Sequence, residues 1–325
     1  MPVYTSNSNA TLKDALTILR DAKNRFPVMH LSPFDKIVDG DGYVMAKQID
    51  GTYSFKPNIT RQGLLFRGDS MFSNSPQTIS EHGFDFTQQE RFKRLIESFP
   101  LYEMLKKGVE LPDGRIVKFE NPYALAYAYG VPSLFVGLSA DLDVASFFAV
   151  TQWNNERQKF EPVIKGEGIV YSYELRQPLN QMRSLTTLSL QIFRRTFRQK
   201  AYVMQMPENA NFNMMHAVTG FKFTHNKDVT EEIFENFKGG ETLAPTDDFL
   251  WKKWEEVRNN SAEIPVFQKD ELRSIYGTVC EYWKEFVELV NFAEGDIEAK
   301  SFLLKLPEIE PYARYFDLNR YFDER

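Results

Sequence analysis

Cysteine is almost missing from this chain. Of 325 residues one is cysteine, Cys280, which excludes a disulfide framework and any zinc site built on thiolates. Histidine is scarce as well: His30, His82, His216 and His225 stand at no metal-ligand spacing, and no His-Glu-x-x-His occurs. The phosphate loop Gly-x4-Gly-Lys-Ser/Thr, the dinucleotide fingerprint Gly-x-Gly-x-x-Gly and the nucleophile elbow Gly-x-Ser-x-Gly are all absent. No basic and apolar leader opens the chain. The longest uncharged stretch, Asn121 to Ala140, is broken by Gly130, Pro132 and Gly137, and reads as helix, turn and buried strand. The expectation is a soluble, cytoplasmic protein with no membrane association and no metal.

Aromatic residues are what the chain has in quantity: 14% of it, with 28 Phe and 15 Tyr, which suits ring-packed cores or the stacking of a base. Charge is unevenly spread. The net charge is −6, yet residues 228–325 carry 12 basic and 23 acidic side chains, so the first 227 residues are net basic. Arg176 to Lys200 holds Arg176, Arg183, Arg194, Arg195, Arg198 and Lys200 without one acid. This asymmetry fits a phosphate-bearing ligand for the basic part, or two lobes that attract each other.

Periodicity places the elements. Thr11 and Asp14 form a capping-box-like pair ahead of Leu12, Ala15, Leu16, Leu19 and Ala22, a helix that should stop near Pro27. Asp39-Gly-Asp-Gly42 is a tight turn rather than a calcium loop, whose remaining ligands are missing. Thr87 and Glu90 look like a second capping box, opening a helix through Phe92, Leu95, Ile96 and Phe99 that Pro100 interrupts. A short strand follows through Val117 and Phe119. Pro122 opens a short apolar helix, Ser133 to Leu138 reads as a strand, and Ser139-Ala-Asp141 starts another helix. Ile169, Tyr171, Tyr173 and Leu175 alternate along a strand, and Phe197 to Met206 is expected as one more. After Asp228 helices are expected, near Glu231 to Phe237 and from Lys269 to Phe292. The division is a helical and turn segment over 1–54, an α/β core over 55–227, and an acidic helical region over 228–325.

Three segments carry chemistry. Gly63-Leu-Leu-Phe-Arg-Gly-Asp-Ser70 is an apolar strand that delivers Arg67 and then a glycine. A buried arginine needs an anion, either a phosphate or carboxylate ligand or a core acid in a structural salt bridge. Gly68 would let a ligand approach the backbone. The second segment is Tyr129-Gly-Val-Pro-Ser-Leu-Phe-Val-Gly-Leu-Ser139 with the helix after it, and the third is Arg194-Arg-Thr-Phe-Arg-Gln-Lys-Ala-Tyr-Val203.

In this order the three resemble the FRG domain, a bacterial module named for its Phe/Tyr-Arg-Gly motif. Phe66-Arg67-Gly68 matches that motif. Tyr129, Gly130, Pro132, Ser139, Ala145, Phe148 and Ala149 match the His-Tyr-Gly-Leu-Pro-Thr-Arg-Leu-Leu-Asp-Trp-Thr block and its Ala-x-x-Phe-Ala helix. Gln199 and Ala201 stand in the Arg-x-x-x-Gln-x-Gly-x-Phe ending. The likeness covers about 60 to 205. Ala128, Leu134, Gly137 and Leu138 replace the family's histidine, arginine, aspartate and tryptophan, and Asp69 stands where glutamine is common.

The family's layout in turn resembles the ADP-ribosyltransferase pattern. What that resemblance implies is an α+β fold with a split β-sheet core, an N-terminal helix and a larger C-terminal helical region. It gives Arg67, Ser139 and Gln199 catalytic roles: holding the dinucleotide, bracing its nicotinamide end, and orienting ribose or acceptor. Arg67, Gly68, Tyr129 and Ser139 would bind NAD, here a substrate. The implied activity is transfer of ADP-ribose from NAD to a protein or nucleic acid, in a toxin or antiphage effector. Two other readings stand beside it: a non-catalytic module sensing a nucleotide or nucleic acid, and a protein-interaction module using the acidic flank.

Overall fold

A computed structural model describes residues 11–25, 43–47, 50–57, 63–72, 86–98, 109–110, 116–118, 122–175, 185–188, 193–206 and 211–259. They form a mixed helix-and-sheet fold whose centre is a six-stranded antiparallel sheet. Its strands, in spatial order, are β10 (Leu185–Thr187), β11 (Ala201–Gln205), β6 (Phe135–Ser139), β3 (Leu64–Asp69), β9 (Glu167–Glu174) and β12 (Val218–Thr224). A second sheet joins β1 (Tyr43–Lys47), β2 (Tyr53–Pro57), β5 (Ile116–Lys118) and β4 (Val109–Glu110). The segment expected as helix and turn over 1–54 therefore contains strands, because β1 pairs with β2 along its whole length. A hairpin of β7 (Thr151–Asn154) and β8 (Lys159–Pro162) was not expected either.

Helix α1 (Leu12–Arg25) begins as its sequence requires. The Asp14 carboxylate accepts from the Thr11 N–H at 2.9 Å, and the Thr11 hydroxyl accepts from the Asp14 N–H at 3.3 Å. Leu12, Leu16 and Leu19 pack with Leu64, Phe66, Val170 and Phe223 on one face of the main sheet. Helix α2 (Phe86–Glu97) starts one residue before Thr87, so Thr87 lies inside the helix and does not cap it. Helix α3 (Pro122–Ala128) opens at proline, where no intrahelical N–H is needed. Helix α4 (Leu142–Val150) is capped by Asp141, which accepts from the Asp143 N–H at 2.9 Å, and buries nearly its whole surface.

The other sheet face is covered by Leu65, Val136, Leu138, Ile169, Tyr171, Tyr173, Tyr202, Met204 and Phe212. The alternation read from Ile169 to Leu175 lies on this face, although Val170 is buried on the opposite one. The stretch from Phe197 to Met206 is not a single strand. Its start belongs to helix α5 (Arg194–Arg198), and Lys200, at φ 45°, turns the chain into β11. Helices α6 (Lys227–Asn236) and α7 (Phe249–Asn259) follow. Phe234 of the first and Phe237, its C-cap, join Phe147 of α4 in one aromatic cluster. The Asp39–Gly42 turn, the interruption at Pro100 and the helix from Lys269 to Phe292 lie outside the described residues.

Candidate functional site

The main sheet parts in its middle. β3 and β6 share one register pair, Phe66 with Ser139, while β3 and β9 pair over six residues. Beyond that single bridge Arg67 takes over. Its guanidinium donates to the Gly137 carbonyl across the gap at 3.4 Å and to the Tyr127 hydroxyl, on α3, at 3.0 Å. The rest of the fork is held by Asp69, two residues on and therefore on the same face of β3: Nε to Oδ2 is 3.1 Å and Nη2 to Oδ1 is 2.7 Å. Burial works against the Arg67 cation, but the Asp69 carboxylate and Tyr127 outweigh it and hold the proton more tightly than in a free arginine. Of the two partners the sequence left open for Arg67, the acid of its own strand is the one seated on it.

Gly68 makes room for a helix. A Cβ there would run into the Ala145 carbonyl and, at 2.6 Å, the Ala149 nitrogen, so α4 can lie against β3 only over glycine. Gly137 does the same for the Tyr127 ring. Ser139, 5% exposed, has its hydroxyl fully engaged: it donates to the Gln199 carbonyl at 2.8 Å and accepts from the Asp141 N–H at 3.0 Å. Those bonds tie the β6–α4 turn to the end of α5. Lys200 reinforces the junction, its ammonium 2.7 Å from Asp141. Burial alone would raise the Asp141 carboxyl, but the Lys200 ion pair overrides it and leaves it lowered. The Gln199 amide donates to the Leu243 carbonyl at 3.2 Å.

Arg67, Gly68, Ser139 and Gln199 nevertheless line one cleft of about 750 Å³. Its walls are aromatic in large part, with Tyr127, Phe148, Trp153, Phe160 and Trp251, and its cations include Arg67, Arg195 and Arg258. Among the described residues that line it, Asp69, already paired to Arg67, is the one carboxylate. Tyr129 does not line this cleft. It is fully buried, donates its hydroxyl to Asp248 at 3.0 Å, and packs on Phe92 and Phe193. Among the described residues no group of three His, Cys, Asp or Glu side chains is placed to hold a metal, and no helix is long and apolar enough to cross a membrane.

Comparison with family models, curated proteins and solved structures finds no match to this chain. The site is therefore read from its own groups.

Arg195 is the residue that the sequence named only within a basic run. It is 6% exposed and lines the cleft, with its guanidinium carbon 5.0 Å from the Tyr129 ring centre and 4.4 Å from that of Trp251. Its Nε is buried without a hydrogen-bond partner. Burial depresses the cation, opposed by the charge of nearby Asp248. Asp248, 4% exposed, is itself raised by burial, against the pull of Arg195 and its hydrogen bonds. No sequence signal separates Arg195 from Arg194 or Arg198, because what distinguishes it is Trp251, 56 positions later.

Proposed function

We propose that the cleft binds a nucleotide, and that this is an FRG-type protein in which an ADP-ribosyltransferase-like core moves ADP-ribose from NAD to a macromolecular acceptor. The observation that carries this reading is convergence. Residues from three separate segments, around Arg67, Ser139 and Gln199, line a single cleft roomy enough for a small-molecule ligand and walled by aromatic and arginine side chains. The split between β3 and β6 supports the split-sheet core that the motif order implies.

The chemistry such a cleft would perform is set by what its lining offers. In the transfer, the bond between nicotinamide and ribose breaks with its electron pair leaving on nicotinamide. The acceptor then forms the new bond to ribose and loses a proton. The ribose centre is oxocarbenium-like, so holding the dinucleotide in place and shielding it from water matter more than acid–base groups. Gln199 is neutral and cannot take a proton at physiological pH. The proton of the acceptor therefore leaves to the acceptor's own surroundings, and hydrolysis of NAD alone is slow.

A second reading, a nucleotide-sensing module without turnover, is favoured by one observation: Asp69 occupies the fork of Arg67 that would otherwise hold phosphate. Labelled NAD incubated with the full chain and whole-cell lysate separates the two. Transfer of label onto protein or nucleic acid, reduced by Gln199→Ala, supports the transferase. NAD binding without any transfer selects the sensing module, and absence of NAD binding ends both in their present form.

A further inference from the structure

A buried arginine that serves the fold is expected to be paired, as Arg67 is. Arg195 is not. Its Nε is sealed from solvent without a hydrogen-bond partner, and among the described residues its guanidinium forms no hydrogen bond or ion pair. Burying a cation in this condition is costly, and that cost needs a reason. Tyr129 and Trp251 provide part of one: their rings, 5.0 and 4.4 Å from the guanidinium carbon, stabilise the charge through their faces without consuming an N–H. A ring contact consumes no N–H, so the guanidinium keeps the fork of donors that matches two oxygens of one anion.

The charges of Asp248 and Glu255 both reach Arg195, but Glu255 is paired with Arg258 and the oxygens of Asp248 are already committed. Oδ2 accepts from the Tyr129 hydroxyl at 3.0 Å, and Oδ1 accepts from the Trp251 N–H at 3.0 Å at the start of α7. It therefore holds the two aromatic residues against Arg195 while leaving the guanidinium donors unused. Trp153, 5.4 Å from Trp251 and set edge-on to it, extends the aromatic wall of the same cleft.

We propose that Arg195 is the oxyanion subsite of this cleft and receives a phosphate group of the bound nucleotide, a role that Arg67, its fork held by Asp69, Tyr127 and Gly137, does not fill. This deepens the nucleotide reading given above and rests on it for the identity of the ligand.

The test titrates the full chain with inorganic pyrophosphate, ADP, adenosine and acetate at constant ionic strength. Arg195→Lys keeps the charge and loses the fork, so pyrophosphate and ADP should bind about tenfold or more weakly, the worth of a charge-assisted hydrogen bond, while adenosine is unaffected. Arg195→Met removes a cation that, among the described residues, has ring faces and the charge of Asp248 around it but no hydrogen-bonded acid. It should lose the stabilisation that pyrophosphate gives the wild type. ADP affinity unchanged in Arg195→Lys overturns the proposal. So does an Arg195→Met protein that pyrophosphate still stabilises, and so does acetate binding as tightly as pyrophosphate. The outcomes also separate this subsite from the NAD reading. Pyrophosphate bound through Arg195 with no NAD binding upholds the subsite and ends that reading, whereas NAD binding that Arg195→Lys leaves intact does the reverse.

Discussion

Replacing Arg67 by lysine distinguishes an arginine that staples the split sheet from one that waits for a ligand. In the folded protein its guanidinium donates to Asp69 through two nitrogens, to the Tyr127 hydroxyl and to the Gly137 carbonyl, with 19% and 16% of the Arg67 and Asp69 side chains exposed. Lysine keeps one positive centre and can satisfy Asp69 at one point, but it cannot hold Asp69 as a fork while spanning to α3 and β6. Loss of one charge-assisted interaction together with one or two neutral ones corresponds to about 2–3 kcal/mol. Arg67→Met goes further, leaving Asp69 as an unpaired, partly buried carboxylate, and should cost about 3–4 kcal/mol. Denaturant unfolding monitored by circular dichroism reads both, with the dependence on denaturant checked for an unchanged slope. An Asp69→Asn partner completes a double-mutant cycle, in which the double variant should lose less than the sum of the singles. If Arg67→Lys instead unfolds at the wild-type midpoint and yet loses nucleotide binding, Arg67 is a ligand anchor and its pairing with Asp69 is incidental.

Gly68→Ala should destabilise by about 1–3 kcal/mol or prevent folding, since the new methyl meets the backbone of α4 and cannot be relieved by a side-chain rotation; a soluble variant of wild-type stability that only binds ligand poorly would reverse this assignment. Ser139→Ala should cost about 1–3 kcal/mol by stranding the Asp141 N–H and the Gln199 carbonyl, measured as a shift in the unfolding midpoint, and a change in NAD turnover at unchanged stability would mark the hydroxyl as catalytic instead. His225, 8% exposed, donates from Nε2 to the Ser70 carbonyl at 2.7 Å and leaves Nδ1 buried without a partner; burial pulls its pKa below the usual histidine value against the opposing pull of Ser70. The unfolded chain then binds a proton that the native one refuses, so stability should fall as the pH drops from about 6.5 towards the lowered value, a slope that His225→Gln should remove and that would be unaltered if another group were responsible.

What could be read from the sequence was local. The reciprocal Thr11–Asp14 cap, the proline that opens α3 and the alternation from Ile169 to Leu175 depend on neighbours a few residues away, and each is in place. The pairing of Arg67 with Asp69 was legible in principle, because residues i and i+2 of a strand share a face. Elements set by distant partners or by unusual backbone were not legible. The β7–β8 hairpin turns at Gln158, φ 52°, with the Asn154 side chain accepting from the Glu156 and Arg157 N–H groups, so no glycine announces it. Phe197 and Arg198 belong to a helix although Phe197 to Met206 looks like one strand, because Lys200 makes the turn in a conformation usually left to glycine. At the site, the three motif segments do meet at one cleft. The partner states of their side chains could not be foreseen: Ser139 and Gln199 bond to backbone carbonyls, Tyr129 lies beneath Arg195, and Arg195 is set apart by an aromatic residue from α7.

Photo-crosslinking locates the nucleotide proposed for this cleft without depending on turnover. Full-length protein irradiated with an azido-adenine analogue of NAD, then digested and mapped by mass spectrometry, should carry label on peptides containing Phe148 to Asn155 or Trp251 to Arg258, and excess ADP should suppress it. Label confined to peptides away from the cleft, or none at ligand concentrations that protect the folded protein against heat, would contradict that placement.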